Sequence, residues 1–561
     1  MKSGVTTMNA GIISTPLPMT AGDRWLLRAC LGLPLAALVL FFGLPMLSIA
    51  WRSLQQDSGG IGLGNYLALL DTPGVWRAAF NSTWLGLATT VLTVLLGFVL
   101  AYGLERTRMA GKRLVAVGMA LPMLAPSLVL GLGLIFLLGR NGLVGKLLGL
   151  RMDVYGFWGL LIADILYALP QAVLIIRAAL RHGDVRQYDA AEVLGATPWR
   201  QFLDITLPNA RYGLLSAGFV VFTITITDFG NAVVIGGNFP VLATEIYNQV
   251  SGQMKFGMGA VVGILLLAPA AISIWIEHVA TQRQDRLSGD AAQPPSPQRH
   301  PMRDVGFTVA CGAIVFSIYA VILTVVAGSF VRLWPYKFEF TLKHYDITLS
   351  DGYAPLWNSV YVSLLAALFG TSMLFMLAFA VRKFPGRLAN LASLLSALPV
   401  GVPGLVMGLA YVFTFNSASM PWGVLYGSAA LLALCNYYHY HTLGYVAMMT
   451  GMRNVPTNLE DATTVLGGGT GHILRDVYWP AIQTTLLSIV AFLFMRSMVT
   501  LSAIIFLITP NMSLGSVSVM RLDEAGFTSQ AAAFSTCIMA LVGTLSLVLH
   551  VLTARKPVAS H

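Results

Sequence analysis

Long apolar stretches recur along this chain, and each has about the length of a membrane-spanning helix. Crossing the hydrocarbon takes about 20 mostly apolar residues in a helix, because every backbone polar group must be satisfied within its own segment. Twelve stretches meet this requirement, which predicts an all-α integral membrane protein. They are Leu26–Ala50, Thr83–Leu104, Leu114–Leu138, Tyr155–Ile176, Gly213–Ile235, Gly259–Ile276, Val305–Phe330, Val360–Val381, Leu388–Phe413, Leu425–Thr450, Thr485–Leu507 and Ala532–Leu552.

Composition and charge support this prediction and give it an orientation. Apolar residues make up 56% of the chain and charged residues only 10%, and the mean hydropathy is +0.73. A net charge of +10 would suggest nucleic acid for a soluble protein, but here the placement of the charge between spans matters more. Lys and Arg are concentrated in the loops that share a side with both termini. The positive-inside rule then predicts cytoplasmic N- and C-termini, with a lipid bilayer and no nucleic acid as partner.

An internal repeat divides the chain into two halves. The segment Leu121–Val129 returns as Leu398–Val406, and Asn81-Ser82 returns as Asn358-Ser359 at the same offset. Two six-helix halves in the same orientation imply a pseudo-two-fold axis along the membrane normal, with a pathway where the halves meet. We therefore expect these parts: a cytoplasmic tail over 1–25, a first transmembrane domain over 26–280, a Pro-containing cytoplasmic linker over 281–303, a second transmembrane domain over 304–553 and a cytoplasmic tail over 554–561.

The fourth span of each half is followed by a long cytoplasmic loop, at 184–208 and 457–480. Asp184 with Gln187, and Thr457 with Glu460, have the spacing of a capping box, which predicts a helix start. Gly195 and Gly467 should then end these helices, because glycine adopts a positive φ at little cost. Each loop is therefore predicted to be a short helix–turn–helix on the cytoplasmic face.

The first loop resembles the E-A-A-x3-G-x9-I-x-L-P signature of binding-protein-dependent ABC importer permeases. Its matching residues are Asp189 (for Glu), Ala190, Ala191, Gly195, Ile205, Leu207 and Pro208. The equivalent residues of the second loop are Asp461, Ala462, Thr463, Gly467, Val477, Trp479 and Pro480. The second loop departs from the signature at several positions, and its Gly467–Gly469 run should loosen the turn. The alternative is a positively charged interfacial loop without a partner.

The resemblance implies a type I ABC importer transmembrane fold in the bacterial inner membrane. In that family the two loops are coupling loops that dock on separate ATPase subunits, so one chain should bind two ATPase copies. A periplasmic binding protein should deliver the small-molecule solute.

The energy source is expected in another chain. The sequence has no G-x-x-x-x-G-K-[ST] phosphate-binding loop, since Gly145-Lys146 is followed by Leu147. We find no catalytic constellation and expect neither enzyme activity nor a cofactor. His439 and His441 stand two apart on a predicted helix and face different ways, so they do not form a metal pair. The cysteines all fall within spans and offer neither a disulfide framework nor metal-ligand spacing; they are Cys30, Cys311, Cys435 and Cys537.

Ionisable residues within spans indicate where the path lies, because such residues are costly unless they are paired or line water. Asp228 and Arg496 lie on equivalent spans, each directly after a coupling loop, and with Asn231 they form the candidate substrate path. Arg496 would attract an anionic group of the solute, and Asp228 would pair with Arg496 or with an amino group. The alternative is a structural Asp–Arg pair that never meets the solute. Asp164 aligns with Asn436 and is expected to bond between helices.

Further resemblances concern the solute and the class of transporter. Fused permeases of this kind are similar to those for ferric iron, thiamine and 2-aminoethylphosphonate. The segments Ile226–Asn231, Leu242–Gln249 and Met520–Phe527 most resemble 2-aminoethylphosphonate permeases, and ferric iron or thiamine is the alternative. A secondary transporter of the major facilitator type also has six plus six helices. Its G-x-x-x-D-R-x-G-R-R signature is represented in Glu105–Arg113 only by Gly111-Lys112-Arg113.

Overall fold

A computed structural model describes most of the chain. The described residues are 20–56, 59–149, 153–181, 183–287, 297, 299–348, 351–383, 386–417 and 420–554. Most of the predicted N-terminal tail, part of the predicted central linker and nearly all of the C-terminal tail therefore lie outside the described residues. Within the described ranges the chain is helical apart from loops and one antiparallel hairpin, Val331–Leu333 with Lys337–Phe340.

The long helices follow one another in the same order in both halves, whereas the short helices between them differ. Those of the first half are Ala21–Leu38, Val39–Gly43, Leu44–Leu54, Gly64–Leu70, Pro73–Arg106, Lys112–Ala120, Leu121–Leu124, Leu128–Leu138, Leu143–Leu148, Phe157–Arg181, Val185–Val193, Pro198–Gln201, Phe202–Thr206, Leu207–Thr227, Gly230–Ile235, Leu242–Tyr247, Asn248–Gly252 and Phe256–Leu287. Those of the second half are Pro301–Phe330, Lys343–Tyr345, Ala354–Lys383, Arg387–Ala397, Leu398–Gly401, Gly404–Phe415, Pro421–Leu425, Ala429–Arg453, Thr457–Val465, Thr470–His472, Ile473–Tyr478, Trp479–Ala481, Gln483–Val499, Gly515–Glu524 and Thr528–Ala554.

The number of spans agrees with a multi-pass membrane protein. In the described ranges, nine helices are long and apolar enough to cross a membrane, or up to eleven if each of two bent pairs counts as one span. The predicted span Leu425–Thr450 forms the 25-residue helix Ala429–Arg453. This helix is long enough to cross, but it carries the polar run Asn436–Thr442 and so is less apolar than the others.

The third span of each half is broken, whereas the sequence predicted unbroken helices over Leu114–Leu138 and Leu388–Phe413. In the second half, Arg387–Gly401 and Gly404–Phe415 meet at 109°. Ala125 (φ −110°, ψ 145°) and Val402 (φ −102°, ψ 115°) are extended. Each precedes a proline, and the proline ring disfavours helical geometry at the residue before it. The two breaks are therefore repeat equivalents with one steric cause.

The fifth span of each half also ends earlier than predicted. The helices stop at Thr227 and Val499, and the next residues, Asp228 (ψ 125°) and Thr500 (ψ 132°), are extended. The predicted ends at Ile235 and Leu507 were therefore wrong. Each half therefore has a break in its third span and another after its fifth, and in the second half Thr470–Ala481 and Gln483–Val499 also meet at 71°.

The two breaks of each half touch each other. A Cβ atom added to Gly230 would lie 2.2 Å from the Ser127 Oγ, and one added to Gly404 would lie 2.1 Å from the Ser502 Oγ. Ser127 is the repeat equivalent of Gly404, and Gly230 is the equivalent of Ser502. Each contact thus joins one serine to one glycine, with the two residue types exchanged between the halves.

Equivalent hydrogen bonds confirm the internal repeat. The Asn81 side chain donates to the Pro240 carbonyl at 2.9 Å, and Asn358 donates to the Ser513 carbonyl at 3.1 Å. The next serine of each half, Ser82 or Ser359, accepts a backbone N–H bond at 2.8 Å. The Asn-Ser pairs that revealed the repeat in the sequence therefore fix the segment after the fifth span in both halves.

The first span of the first half runs along the second half. The Tyr411 hydroxyl donates to the Phe41 carbonyl at 2.5 Å, and the Thr414 hydroxyl bonds to the Ser48 hydroxyl at 2.8 Å. Leu27 and Cys30, nearer the start of this span, are buried.

The first span of the second half makes the reciprocal contact with the first half. The Tyr319 hydroxyl donates to the Leu114 carbonyl at 3.2 Å, and the Ala110 N–H donates to the Thr308 hydroxyl at 3.1 Å. The two halves therefore exchange their first spans, which the repeat alone did not predict.

Candidate functional site

The two predicted coupling loops have the same backbone. Helices Val185–Val193 and Thr457–Val465 each end at a glycine with positive φ, +76° at Gly195 and +82° at Gly467. One turn is closed by the bond from the Ala196 N–H to the Ala191 carbonyl at 2.9 Å, and the other by the equivalent bond from Gly468 to Thr463, also at 2.9 Å. The predicted helix–turn–helix is confirmed. The expectation that the glycine run loosens the second turn is wrong, because both turns keep the same bonds.

The helix starts differ from the predicted capping boxes. Asp184 does cap its helix, since its side chain accepts the Arg186 N–H at 3.1 Å. Gln187, however, accepts a bond from the Asn209 side chain at 2.7 Å. In the second loop the cap position is Pro456, without a side-chain bond.

The expected Thr457–Glu460 box is therefore wrong, because Glu460 is bound elsewhere. Its carboxylate accepts bonds from Lys383 and Tyr478 and forms an ion pair with Arg382 at 3.2 Å. Burial raises the pKa of Glu460, but the bonds from Lys383 and Tyr478 and the nearby positive charges outweigh burial and hold that pKa below its ordinary value. This cluster ties the loop to the end of the second span of the same half.

The first loop is tied down at equivalent positions by different chemistry. Tyr188, the equivalent of Glu460, shares a hydrogen bond of 2.9 Å with Thr206. The Arg106 guanidinium lies 5.0 Å from the centre of the Tyr188 ring. An uncharged hydrogen bond and a cation–π contact thus replace the ionic cluster.

Most signature residues are accessible on the loop surface. Those classed as exposed are Asp189, Ala190, Gly195, Leu207, Pro208, Asp461, Ala462, Gly467, Trp479 and Pro480, while Ala191, Ile205 and Thr463 are partly exposed and Val477 is buried. Val477 therefore packs the loop internally, and the others are available to a partner.

Sequence reasoning missed the apolar tips of the two loops. Val193 and Leu194 are 88% and 85% exposed, and their equivalents Val465 and Leu466 are 85% and 87% exposed. Two adjacent apolar side chains held out into solvent at both equivalent turns are typical of an interaction site. The available signal was the Val-Leu-Gly tripeptide, which occurs in both loops directly before the turn.

A cavity of about 330 Å³ lies where the two halves meet. It is formed largely by the breaks in the third and fifth spans and by the fourth span of each half. Its polar and charged lining residues are Ser127, Tyr167, Gln171, Thr223, Thr227 and Asp228 from the first half, and His439, Tyr440, Thr442, Arg496, Thr500 and Ser502 from the second.

Asp228 and Arg496 both line this cavity but do not pair. Among the described residues, no ion pair within 4.0 Å joins them. Asp228 accepts the Asn231 N–H at 2.9 Å. The Arg496 guanidinium lies 5.7 Å from the centre of the Tyr440 ring, and its Nε is buried without a hydrogen-bond partner. The two charges therefore face one cavity separately.

Asn231, the third candidate for the path, does not line the cavity. It is fully buried, and its side-chain amide donates to Asp164 at 2.9 Å, so that Asp164 bonds between helices as expected. His439 lines the cavity with its Nδ1 unpartnered, whereas the His441 ring bonds to the Tyr437 hydroxyl at 2.9 Å. The two histidines thus face different surroundings.

An aromatic cluster packs beside the cavity and includes Phe229, which lines it. The Tyr247 ring lies 5.2 Å from Phe229 of its own half and 6.0 Å from Phe506 of the other half, measured between ring centres. The helix Leu207–Thr227 starts at the first loop. The residues of this helix that line the cavity lie between Phe219 and its end at Thr227. The cavity therefore adjoins the end of this helix that is farther from the first loop.

The amino-acid sequence of this chain is similar to those of known transport proteins. Residues 93–286 match the family described as "Binding-protein-dependent transport system inner membrane component". The ferric transport system permease protein FbpB of Actinobacillus pleuropneumoniae is 28% identical over 552 residues, which are 94% of this chain and 78% of that protein. The molybdenum transport system permease protein ModB of Azotobacter vinelandii is 35% identical over 172 residues, 29% of this chain and 76% of that protein.

A solved structure of a bacterial ABC transporter involved in the import of the acidic polysaccharide alginate also resembles part of the chain. The match has a TM-score of 0.40 at 20% identity and covers 48% of this chain and 98% of that chain.

Proposed function

We propose that a small charged solute crosses this protein through the cavity lined by Asp228 and Arg496. The chain belongs to the inner membrane components of binding-protein-dependent transport systems. The chain is the multi-pass permease of a bacterial ABC importer in the inner membrane, with a type I fold, and not a secondary transporter. Such a permease works with an ATPase and a binding protein. ATP hydrolysis is assigned to the ATPase partner.

The two coupling loops are proposed as the docking points for two ATPase subunits. The supporting observation is the duplication of the exposed pairs Val193-Leu194 and Val465-Leu466 on equivalent turns. Because each loop is anchored to a span of its own half, movement of a docked ATPase would be passed to the cavity. The domain limits 26–280 and 304–553 are retained as the two permease units, and each unit supplies one loop.

The solute is proposed to carry an anionic group, and 2-aminoethylphosphonate is the first candidate. The observation that carries this proposal is the placement of Arg496 in the cavity without an ion pair to Asp228. Arg496 is half-buried, and a cation inside a membrane protein is costly without a counter-charge, which an anionic solute group would supply. Asp228, on the opposite half, could accept a bond from an amino group of the same solute.

Ferric iron is the second candidate. It is favoured by the similarity to FbpB over nearly the whole chain, and by the oxygen and nitrogen donors of Tyr167, His439 and Tyr440 in the cavity. Arg496 counts against a bare cation, because like charges repel at close range. Thiamine remains the third possibility suggested by resemblance, and no contact in the cavity favours it.

The test is uptake into proteoliposomes that contain the permease, its ATPase and its binding protein. Radiolabelled 2-aminoethylphosphonate and radiolabelled Fe³⁺ are offered separately. We expect ATP-dependent uptake of the phosphonate. Arg496→Gln should lower it about tenfold or more, the scale of one lost hydrogen bond to a charged group. The exposed Arg113→Gln is the matched control and should transport normally. Uptake of Fe³⁺ alone would replace the first candidate by the second, and normal phosphonate uptake by Arg496→Gln would contradict the role of the cavity.

A further inference from the structure

The second coupling loop lacks a cap that the first loop has. In the first loop, Thr197 caps the helical segment after the turn by accepting the Arg200 N–H at 3.3 Å. Pro198 follows and needs no partner, since it has no N–H. The equivalent residues of the second loop are Gly469, which has no side chain to cap with, and Thr470, which has a backbone N–H where Pro198 has none. This N–H must find an acceptor elsewhere, because Thr470 is only 7% exposed.

Asp23 supplies that acceptor from the start of the first span. Its Oδ1 accepts the Thr470 N–H at 2.6 Å, and its Oδ2 accepts the Thr20 hydroxyl at 2.7 Å. A Cβ atom added to Gly469 would lie 3.0 Å from the Asp23 Oδ1. The carboxylate therefore occupies the space where a capping side chain at residue 469 would sit, and it meets the positive end of the helical segment Thr470–Ala481.

We propose that Asp23 is a positioning residue for the second coupling loop and acts as its N-cap from the other half of the chain. The first span runs along the second half, so its cytoplasmic end is fixed beside this loop. The second loop is therefore held both by its own half, through Glu460, and by the first span, through Asp23. The first loop is capped by its own Thr197. The difference between the two loops is thus assigned to the source of the cap and not to a loosened turn.

The proposal rests on the proposed function, since a coupling role is assumed for the loop, but the contact can first be tested in the permease alone. Asp23→Ala should speed amide hydrogen exchange at Thr470 about fivefold, the scale of one lost N-cap. Exchange at the equivalent first-loop segment, Pro198–Gln201, should not change. Adding Gly469→Ser to Asp23→Ala should restore protection at His472, the equivalent of Arg200, because the serine gains the vacated space and can accept this N–H as Thr197 accepts that of Arg200. The single change Gly469→Ser should bring no gain, since its side chain would crowd the Asp23 carboxylate.

Cross-linking to the ATPase then separates this inference from the proposed function. Single cysteines at Leu194 and Leu466 in a cysteine-free background are cross-linked to the co-reconstituted ATPase. Asp23→Ala should reduce cross-linking at Leu466 severalfold and leave Leu194 unchanged, and Asp23→Ala with Gly469→Ser should restore it. The ratio of solute-stimulated to basal ATPase activity should fall and recover in parallel.

Equal effects of Asp23→Ala at both loops, or no rescue by Gly469→Ser, would overturn the role of Asp23 and leave the docking role of the loops intact. Absence of cross-links at both loops in the parent chain would instead contradict the proposed docking, and with it the coupling role given to Asp23. Thr20→Ala, which removes a neighbouring bond but not the Asp23–Thr470 contact, is the control for general destabilisation of the first span.

Discussion

Asp228 and Arg496 face one cavity from opposite halves of the chain, and no ion pair joins them. Their repeat equivalents are Thr500 and Ile224, so each half contributes one charge where the other has none. The pseudo-symmetry of the fold is therefore broken electrostatically at the place where the halves meet. A solute with separate anionic and cationic groups would bind there in one preferred orientation.

Reversing the two charges distinguishes solute contact from a structural pair. Asp228→Arg and Arg496→Asp should each lower uptake strongly, because each places the wrong charge in the cavity. The double variant should not restore uptake in the same vesicle assay, because the two side chains do not hold each other in place. Recovery of transport in the double variant would show that a structural pair is what matters.

The apolar tips of the loops should carry much of the ATPase affinity. Leu194→Asp and Leu466→Asp should each weaken co-purification of the ATPase about tenfold or more, as expected when an exposed apolar anchor is replaced by a charge. Val424→Asp is the matched control, because Val424 is 84% exposed but lies outside both loops. Unchanged ATPase recovery with both tips altered would remove the tips from the interface.

The exchanged Ser–Gly contacts make a packing prediction. Gly230→Ala should destabilise the permease by about 1–3 kcal/mol, because a methyl group would overlap the Ser127 hydroxyl in a packed interior. The exchange Gly230→Ser with Ser127→Gly should recover most of that loss, since it copies the Gly404–Ser502 arrangement of the second half. Thermal unfolding of the purified protein measures both. A double variant no better than Gly230→Ala would show that the two contacts are not equivalent.

Glu460 gives a pH-dependent prediction. Its pKa is held below the ordinary value of 4.5, so its contribution to stability is complete above about that pH and is lost as the pH falls through the folded-state value. Glu460→Gln should therefore be less stable than the parent at pH 7, by about 1.5–3 kcal/mol for the weakened bonds to Lys383 and its neighbours. The difference should shrink below pH 4.

The exposed Glu192→Gln, on the first loop, is the control for the pH experiment and should match the parent throughout. If the gap between Glu460→Gln and the parent stayed constant across the whole pH range, the ionic account of this cluster would be refuted.

Local patterns in the sequence predicted the parts of this structure that depend on local chemistry. Gly195 and Gly467 were expected to end helices, and both have the positive φ that glycine tolerates. The Asn-Ser pairs gave the repeat, and they make equivalent bonds in the two halves. The apolar spans were located in the right order, although several of their ends were wrong, because the length and hydrophobicity of such a span are imposed by the bilayer itself.

Tertiary contacts decided what the sequence could not predict. The spacing of Thr457 and Glu460 fits a capping box, but Lys383 and Tyr478, distant in sequence, bind the glutamate instead. The exchange of first spans, and with it the contact between Asp23 and Thr470, leaves no periodic signal in the chain. The breaks before Pro126 and Pro403 were visible as prolines, but membrane helices also tolerate proline, so the pattern alone did not decide between a kink and a break.

ATP-dependent uptake in defined proteoliposomes tests the central claim most directly. Vesicles that contain the permease, its ATPase and its binding protein should accumulate solute with ATP, and should stop doing so when ATP is omitted or when both Leu194 and Leu466 are changed to Asp. Uptake that persisted without ATP and without any ATPase subunit would contradict the account of this chain as an ATP-driven permease coupled through its two loops.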